Sequence, residues 1–298
     1  MKRKLVSQGR ATLTLSLPSG WIKTYGLKAG DEVEIKEEGP KIILATKGEV
    51  AIEKTDFDAK ELKSLLVRAL AAVYKQGYDE ISVKVEDSKQ IAEIQNILQK
   101  YLVGFEVISQ GEKSILIKNI SGPVEAEFDA MIRRIFLLLK AMAEDGFEAL
   151  KKNDFERLQS IILTEETNNR LTSVCRRIIN KKGYFRNNTF LYCLMEELEK
   201  LADEYRDLYR YVIDQKEKLS ETEMKLFDEI NSNFVRMYES FYKFEKDKAI
   251  KMNTERKRLD EEINKLFGKK GNAKVLHHYL NIIHATGNCL SFILGIKL

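Results

Sequence analysis

The chain has 298 residues, 44% apolar and 32% charged, with a net charge of +4 and three cysteines. That length exceeds one ordinary core, so two or three domains are expected. Apolar runs are short, as in Ile135 to Leu139, so no segment is expected to span a bilayer. The opening "MKRKLVSQGR" shows no apolar core of a signal peptide, and the scattered cysteines exclude a cysteine-rich metal finger.

Charge is unevenly placed. Before Asp31 stand six bases (Lys2, Arg3, Lys4, Arg10, Lys23 and Lys28) and no acid, leaving 44 bases against 46 acids for the rest. A local basic block on a folded unit is an electrostatic footprint for nucleic acid or another polyanion. A solubilising tail is the plainer alternative, and charge alone leaves both open.

Residues 1–47 read as short strands. Leu13, Leu15 and Leu17 alternate with Thr12, Thr14 and Ser16. Pro18-Ser19-Gly20 opens a helical turn holding Trp21 and Ile22, Lys28 to Asp31 form a turn, and Val33, Ile35 and "KIILAT" supply further strands. So small a β unit rarely buries a core alone; sharing one with a second copy predicts a homodimer.

Residues 49–120 read as strand, helix, strand, helix, strand, strand. Leu62, Leu65, Leu66, Ala69, Leu70 and Val73 mark the first helix, and Ile91, Ile94, Leu98, Tyr101 and Leu102 the second. Between them Ile81, Val83 and Val85 share a strand face, and the closing hairpin turns near Gly111.

No proline follows Pro123, which suits helix throughout residues 121–298. Breaks near Asn153, at "NKKGYFRNN", at "EKLSETE", near Asp247 and at "GKKGN" divide this part into six helices. "SETE", Ser220 to Glu223, is a capping box. Their order suggests a three-helix unit used twice.

The stretch "SQGRATLTLSLPSGWIKTYGLKAGDEVEI" resembles the AbrB/MazE family of swapped-hairpin DNA-binding domains. "NDFERLQSIILTEETNNRL" and "LYCLMEELEKLADEYRDL" resemble PhoU, the phosphate-uptake regulator family built from two three-helix repeats. Together they imply an α+β chain. It has a small N-terminal swapped-hairpin β domain at 1–47, a small α/β segment at 49–120 and an all-α PhoU-like bundle at 121–298.

The first resemblance implies duplex DNA as partner, contacted by Lys2, Arg3, Lys4, Gln8, Arg10, Thr12 and Lys23. The second implies iron or zinc in the first helical repeat. Glu199 and Asp203 form an ExxxD step on one helix face, with Glu165 facing them and Asn169 where a further acid is expected. The competing reading is a solvated acidic face, since Glu196, Glu197, Glu204 and Asp207 crowd the same helix. In the second repeat His284 and Asn288 offer no acid, while the adjacent His277 and His278 read as surface or half-buried residues. No catalytic set supports an enzyme.

The joint resemblance implies a cytoplasmic, dimeric transcription regulator of phosphate uptake or phosphate homeostasis. Its rivals are an adaptor that docks on a phosphate transporter or a signalling protein, with the head only dimerising, and a toxin-neutralising antitoxin.

Overall fold

A computed structural model of the chain describes residues 2–9, 12–38, 41–46, 52–121, 127–182, 187–267 and 271–298. The class is α+β: a small N-terminal β hairpin unit, a small mixed sheet and a large helical C-terminal region. The chain divides into two compact units, Met1–Glu53 and Lys54–Leu298.

In the first unit β1 (Val6–Ser7) pairs antiparallel with β2 (Leu13–Thr14), and β3 (Val33–Glu38) pairs antiparallel with β4 (Lys41–Thr46). Between the pairs lies α1 (Ser19–Thr24), entered from Pro18, whose fixed φ suits a helix start. The expected turn closes through Asp31: its carboxylate accepts from Lys28 N at 2.7 Å, and its own N–H donates to Lys28 O at 3.1 Å.

Every residue of this unit whose burial is described is exposed or half-buried. Leu5, Val6, Leu13, Leu15, Ile35 and Ile42 are each at least 50% exposed. The alternating leucines therefore form an apolar face that one copy does not cover. A fragment of residues 1–53 is expected to sediment as a folded dimer, because one copy cannot bury enough apolar surface to offset its ordering entropy. A folded monomeric fragment would contradict this.

The second unit begins with a four-stranded sheet of order β5-β6-β8-β7: β5 (Lys54–Asp58), β6 (Glu80–Lys84), β7 (Phe105–Gln110) and β8 (Ser114–Asn119). β5 and β6 are parallel; β6–β8 and β8–β7 are antiparallel. α2 (Leu66–Gln76) and α3 (Ser88–Tyr101) connect the strands. The element order is the one the periodicities indicate. Leu66, Leu70, Ile81, Val83, Val85, Ile91, Ile94 and Leu98 form its core, whereas Leu65 and Tyr101 are exposed.

The helical region contains α4 (Phe128–Lys152), α5 (Phe155–Ile162), α6 (Thr164–Lys182), α7 (Asn188–Gln215), α8 (Glu221–Tyr242), α9 (Lys246–Phe267) and α10 (Ala273–Lys297). The expectation of six helices is corrected here, because α5 and α6 are separate. Leu163 between them keeps right-handed helical backbone and is 61% exposed, so neither proline nor glycine marks the break. Elsewhere the punctuation is chemical. Asn153 ends α4 in a left-handed conformation (φ 52°), and Ser220 with Glu223 forms the full capping box of α8. Pro123 lies outside the described residues.

α4, α6 and α7 pack on one another, as do α8, α9 and α10, and α7 against α10 joins the two sets. Gly146 allows the α4–α7 approach: a Cβ there would sit 2.0 Å from the Tyr209 hydroxyl, which donates to Met142 O at 2.6 Å.

α10 also corrects the expectation that no segment could span a bilayer. Its 25 residues, with a window of mean hydropathy 1.3, suffice by length and composition. Up to Asn288 its histidines and asparagines break the apolar residues into pairs, which hid this in the sequence. Here Val275, Leu276, Tyr279, Ile282 and Ile283 are buried in the helical core.

Candidate functional site

The basic residues of the first unit are displayed outward. Lys2, Arg3 and Lys4 lead into β1, and all three are exposed, as are Gln8, Thr12 and Lys23. The β1–β2 turn brings Gln8 and Thr12 together, with Gln8 N donating to Thr12 O at 2.8 Å. Gly9 turns there at φ 93°, a conformation that favours glycine. Lys23 stands apart from them in chain position, in the last turn of α1. Arg10 lies outside the described residues. No ion pair among the described residues involves Lys2, Arg3, Lys4 or Lys23.

The three carboxylates expected to bind metal are held differently. Residues 165, 169, 172 and 176 form a stripe on α6, and 196, 199, 203 and 206 form one on α7. The stripes meet as a polar seam. Glu165 Oε1 accepts from Arg206 Nη1 at 2.7 Å, and Asp203 Oδ1 accepts from the same nitrogen at 2.5 Å. Arg206 Nε reaches Asp207 Oδ1 at 2.8 Å. Glu199 is paired instead with Arg176, which also holds Glu196, and it accepts from the Thr172 hydroxyl at 2.8 Å.

So Glu165 and Asp203 meet, Glu199 does not join them, and a guanidinium fills the meeting point. Among the described residues no group of three or more His, Cys, Asp or Glu side chains could hold a metal ion. The set does not fit iron or zinc. A divalent ion about 4 Å from the guanidinium would meet repulsion of roughly 8 kcal/mol at an effective dielectric of 20.

The corresponding stretch of α10 is also paired. His284 Nε2 is 2.6 Å from Asp260 Oδ1 on α9, and Asn288 Nδ2 donates to Glu197 Oε2 at 3.3 Å. His278 is buried, which corrects its expected placement as a surface or half-buried residue, with Nδ1 2.8 Å from Glu204 Oε2. His277 is exposed. A cavity of about 450 Å³ beside this seam is lined by Glu197, Lys200, Asp203, Glu204 and His284 among others.

Burial raises the Glu165 carboxyl to about 7, opposed by the charge of Arg206 and assisted by its hydrogen bond with Asp203. Its ordinary value is 4.5, so between that and about 7 the folded chain holds a proton the unfolded chain releases. The resulting stability is complete below pH 4.5 and is lost as pH rises through about 7. Glu165→Gln should remove this dependence. The stability difference between variant and wild type in urea should change by on the order of 2 kcal/mol across that window. A difference constant with pH would show that Glu165 ionises as an ordinary carboxyl.

A second polar set joins the sheet layer to α6. Arg177 Nη1 donates to Tyr74 O and Nη2 to Asp79 Oδ1, both at 2.9 Å, with the guanidinium 5.1 Å from the Tyr74 ring centroid and 5.0 Å from that of Phe105. Lys181 also pairs with Asp79, and Asn180 Nδ2 donates to Lys75 O at 2.8 Å. These α6 side chains satisfy carbonyls at the end of α2, where Gly77 turns at φ 107°.

Sequence reasoning missed the arginines. Arg206 was legible as the i+3 partner of Asp203. Arg176 continued the stripe of Glu165, Asn169 and Thr172, and only the facing helix reveals that such a stripe is buried.

Residues 6–51 match the family described as antidote-toxin recognition MazE, bacterial antitoxin. The first unit is thus similar to MazE/AbrB-type domains, a kind that typically dimerises and binds DNA. No curated protein and no solved structure matches the chain.

Proposed function

We propose that the chain is a DNA-binding transcription regulator. Two copies join through the apolar face of residues 1–47 and present their basic residues to duplex DNA. The observation that carries this is the coincidence, in the unit matching the MazE model, of exposed Lys2, Arg3 and Lys4 with an apolar hairpin face that one copy leaves uncovered. Pairing the copies covers that face and doubles the charge offered to phosphates. Arginine can fork to guanine or phosphate, while lysine acts as a point charge.

Residues 49–120 and 121–298 act as the regulatory body, with the Arg177 clamp linking sheet and helices. The finer reading, control of phosphate uptake or phosphate homeostasis, rests on the PhoU resemblance of the helices alone. This is a binding protein rather than an enzyme.

The description of the matched family favours a second reading, neutralisation of a toxin. Against it stands the second compact unit, which follows the hairpins with an extensive core of its own.

Fluorescence anisotropy of labelled duplex DNA, titrated with the whole chain at several salt concentrations, tests the proposal. Binding should occur, with log affinity falling linearly against log salt. No binding at low salt would refute it.

A further inference from the structure

A groove lined by aromatic and basic side chains opens where α4, α8 and the first turn of α9 meet. It holds a cavity of about 450 Å³ bordered by Arg133, Tyr238, Glu239, Tyr242, Lys243 and Lys248. That size is within the range of roughly 300–1,000 Å³ usual for small-molecule sites. Tyr238 and Tyr242 stand one turn apart on α8, their ring centroids 5.5 Å apart at 75°. Buried Phe136 of α4 lies 5.3 Å from the Tyr238 ring and 6.1 Å from that of Tyr242, and Phe241 lies 5.0 Å from Tyr242. The Tyr242 ring is therefore fixed by its neighbours, yet the residue stays 48% exposed and offers apolar area to a ligand.

Charge selects the sign of that ligand. Of the charged residues bordering the cavity, Arg133, Lys243 and Lys248 are basic and Glu239 is acidic. Glu245 gathers the two lysines, 3.4 Å from Lys243 Nζ and 3.0 Å from Lys248 Nζ. No ion pair among the described residues involves Arg133. Burial and then the neighbouring Tyr238 raise the Tyr242 hydroxyl to about 12; the charge of Arg133 opposes them and that of Asp129 adds to them. The guanidinium thus acts on the same side chain that carries the open ring.

We propose that this groove binds a nucleotide-type ligand, a planar ring joined to a phosphate. The ring lies against Tyr242, as bases stack on aromatic side chains elsewhere. Arg133 and the two lysines hold the phosphate, which brings about −1.5 to −2 of charge and three acceptor oxygens. The guanidinium can fork to two of those oxygens, and the ammonium groups act as point charges. Inorganic phosphate would leave the tyrosine ring unused, and a neutral ring would leave the three cations unused. The groove belongs to the second unit, so this assignment is independent of DNA binding by the first.

Calorimetry on the whole chain, with AMP, GMP, CMP and UMP as probes, tests this. At least one should bind about tenfold or more tightly than inorganic phosphate and than its own nucleoside, because only the nucleotide meets both ring and cations. Arg133→Ala and Tyr242→Leu should each weaken that binding by about tenfold, whereas Tyr242→Phe, which keeps the ring, should stay within about threefold of native. Arg133 is exposed, so its variant should fold, and Tyr242→Leu keeps apolar packing against Phe136; thermal melts followed by circular dichroism check both. If Tyr242→Leu does not fold, Arg133→Ala with Tyr242→Phe decides. A native chain that binds none of the four more tightly than inorganic phosphate would overturn the proposal. So would unchanged binding in the folded Arg133→Ala variant, which would place the nucleotide elsewhere, the basic residues of the first unit included. A single-stranded oligonucleotide bound more than about tenfold tighter than any mononucleotide, and lost in the same variants, would also overturn it by assigning the groove to nucleic acid.

Discussion

Replacing Arg3 and Arg10 together by alanine should weaken binding to duplex DNA by about ten- to a hundredfold near physiological salt. Two chains lose four charges. Each phosphate contact contributes roughly 0.9 to the slope of log affinity against log salt, so the slope should flatten by up to about 3.6. Arg3 leads into β1 and is exposed, and removing it costs the fold no packing. Arg10 contributes here through its charge, being outside the described residues. The measurement is the anisotropy titration repeated for the double variant. An unchanged slope would place the phosphate contacts elsewhere on the chain.

Arg177→Ala should be the most damaging single change among the polar contacts of the second unit, at about 3 kcal/mol. Both Arg177 and Asp79 are 6% exposed, so the variant leaves a buried carboxylate with less compensation and the Tyr74 carbonyl without its guanidinium donor. It also removes a cation from between the Tyr74 and Phe105 rings. Lys181 still pairs with Asp79, which keeps the loss below that of a fully orphaned buried charge. Denaturant unfolding measures the loss. Amide exchange should accelerate first along α2 and β6, whose ends the clamp holds. Stability within about 0.5 kcal/mol of wild type would show that the clamp is incidental to the joint between sheet and helices.

What the sequence made legible depended on how local the physics was. The order of β5 to β8 with α2 and α3 was readable because alternation and the 3.6-residue period each change within a few residues. Asn153 and Ser220 were readable as helix ends because capping chemistry is confined to one turn. Leu163 was not, since its backbone stays helical. The head could be read as a β unit too small for its own core, and the exposure of Leu13, Leu15, Ile35 and Ile42 has that same cause. The carboxylates of α7 were visible as a spacing, but their partners were not. Arg176 and Glu199 are far apart in sequence, and nothing local distinguishes a buried polar stripe from a solvated one. The buried His278 and the apolar α10 were obscured likewise, because polar residues interrupt an otherwise apolar helix.

The most direct test of the account compares residues 54–298 with the whole chain in one DNA titration. The fragment corresponds to a compact unit with its own apolar cores, so it can be checked by circular dichroism before use. The whole chain should bind duplex DNA with a steep salt dependence, and the folded fragment should not bind under the same conditions. Equal binding by the folded fragment, with the same salt slope, would contradict it.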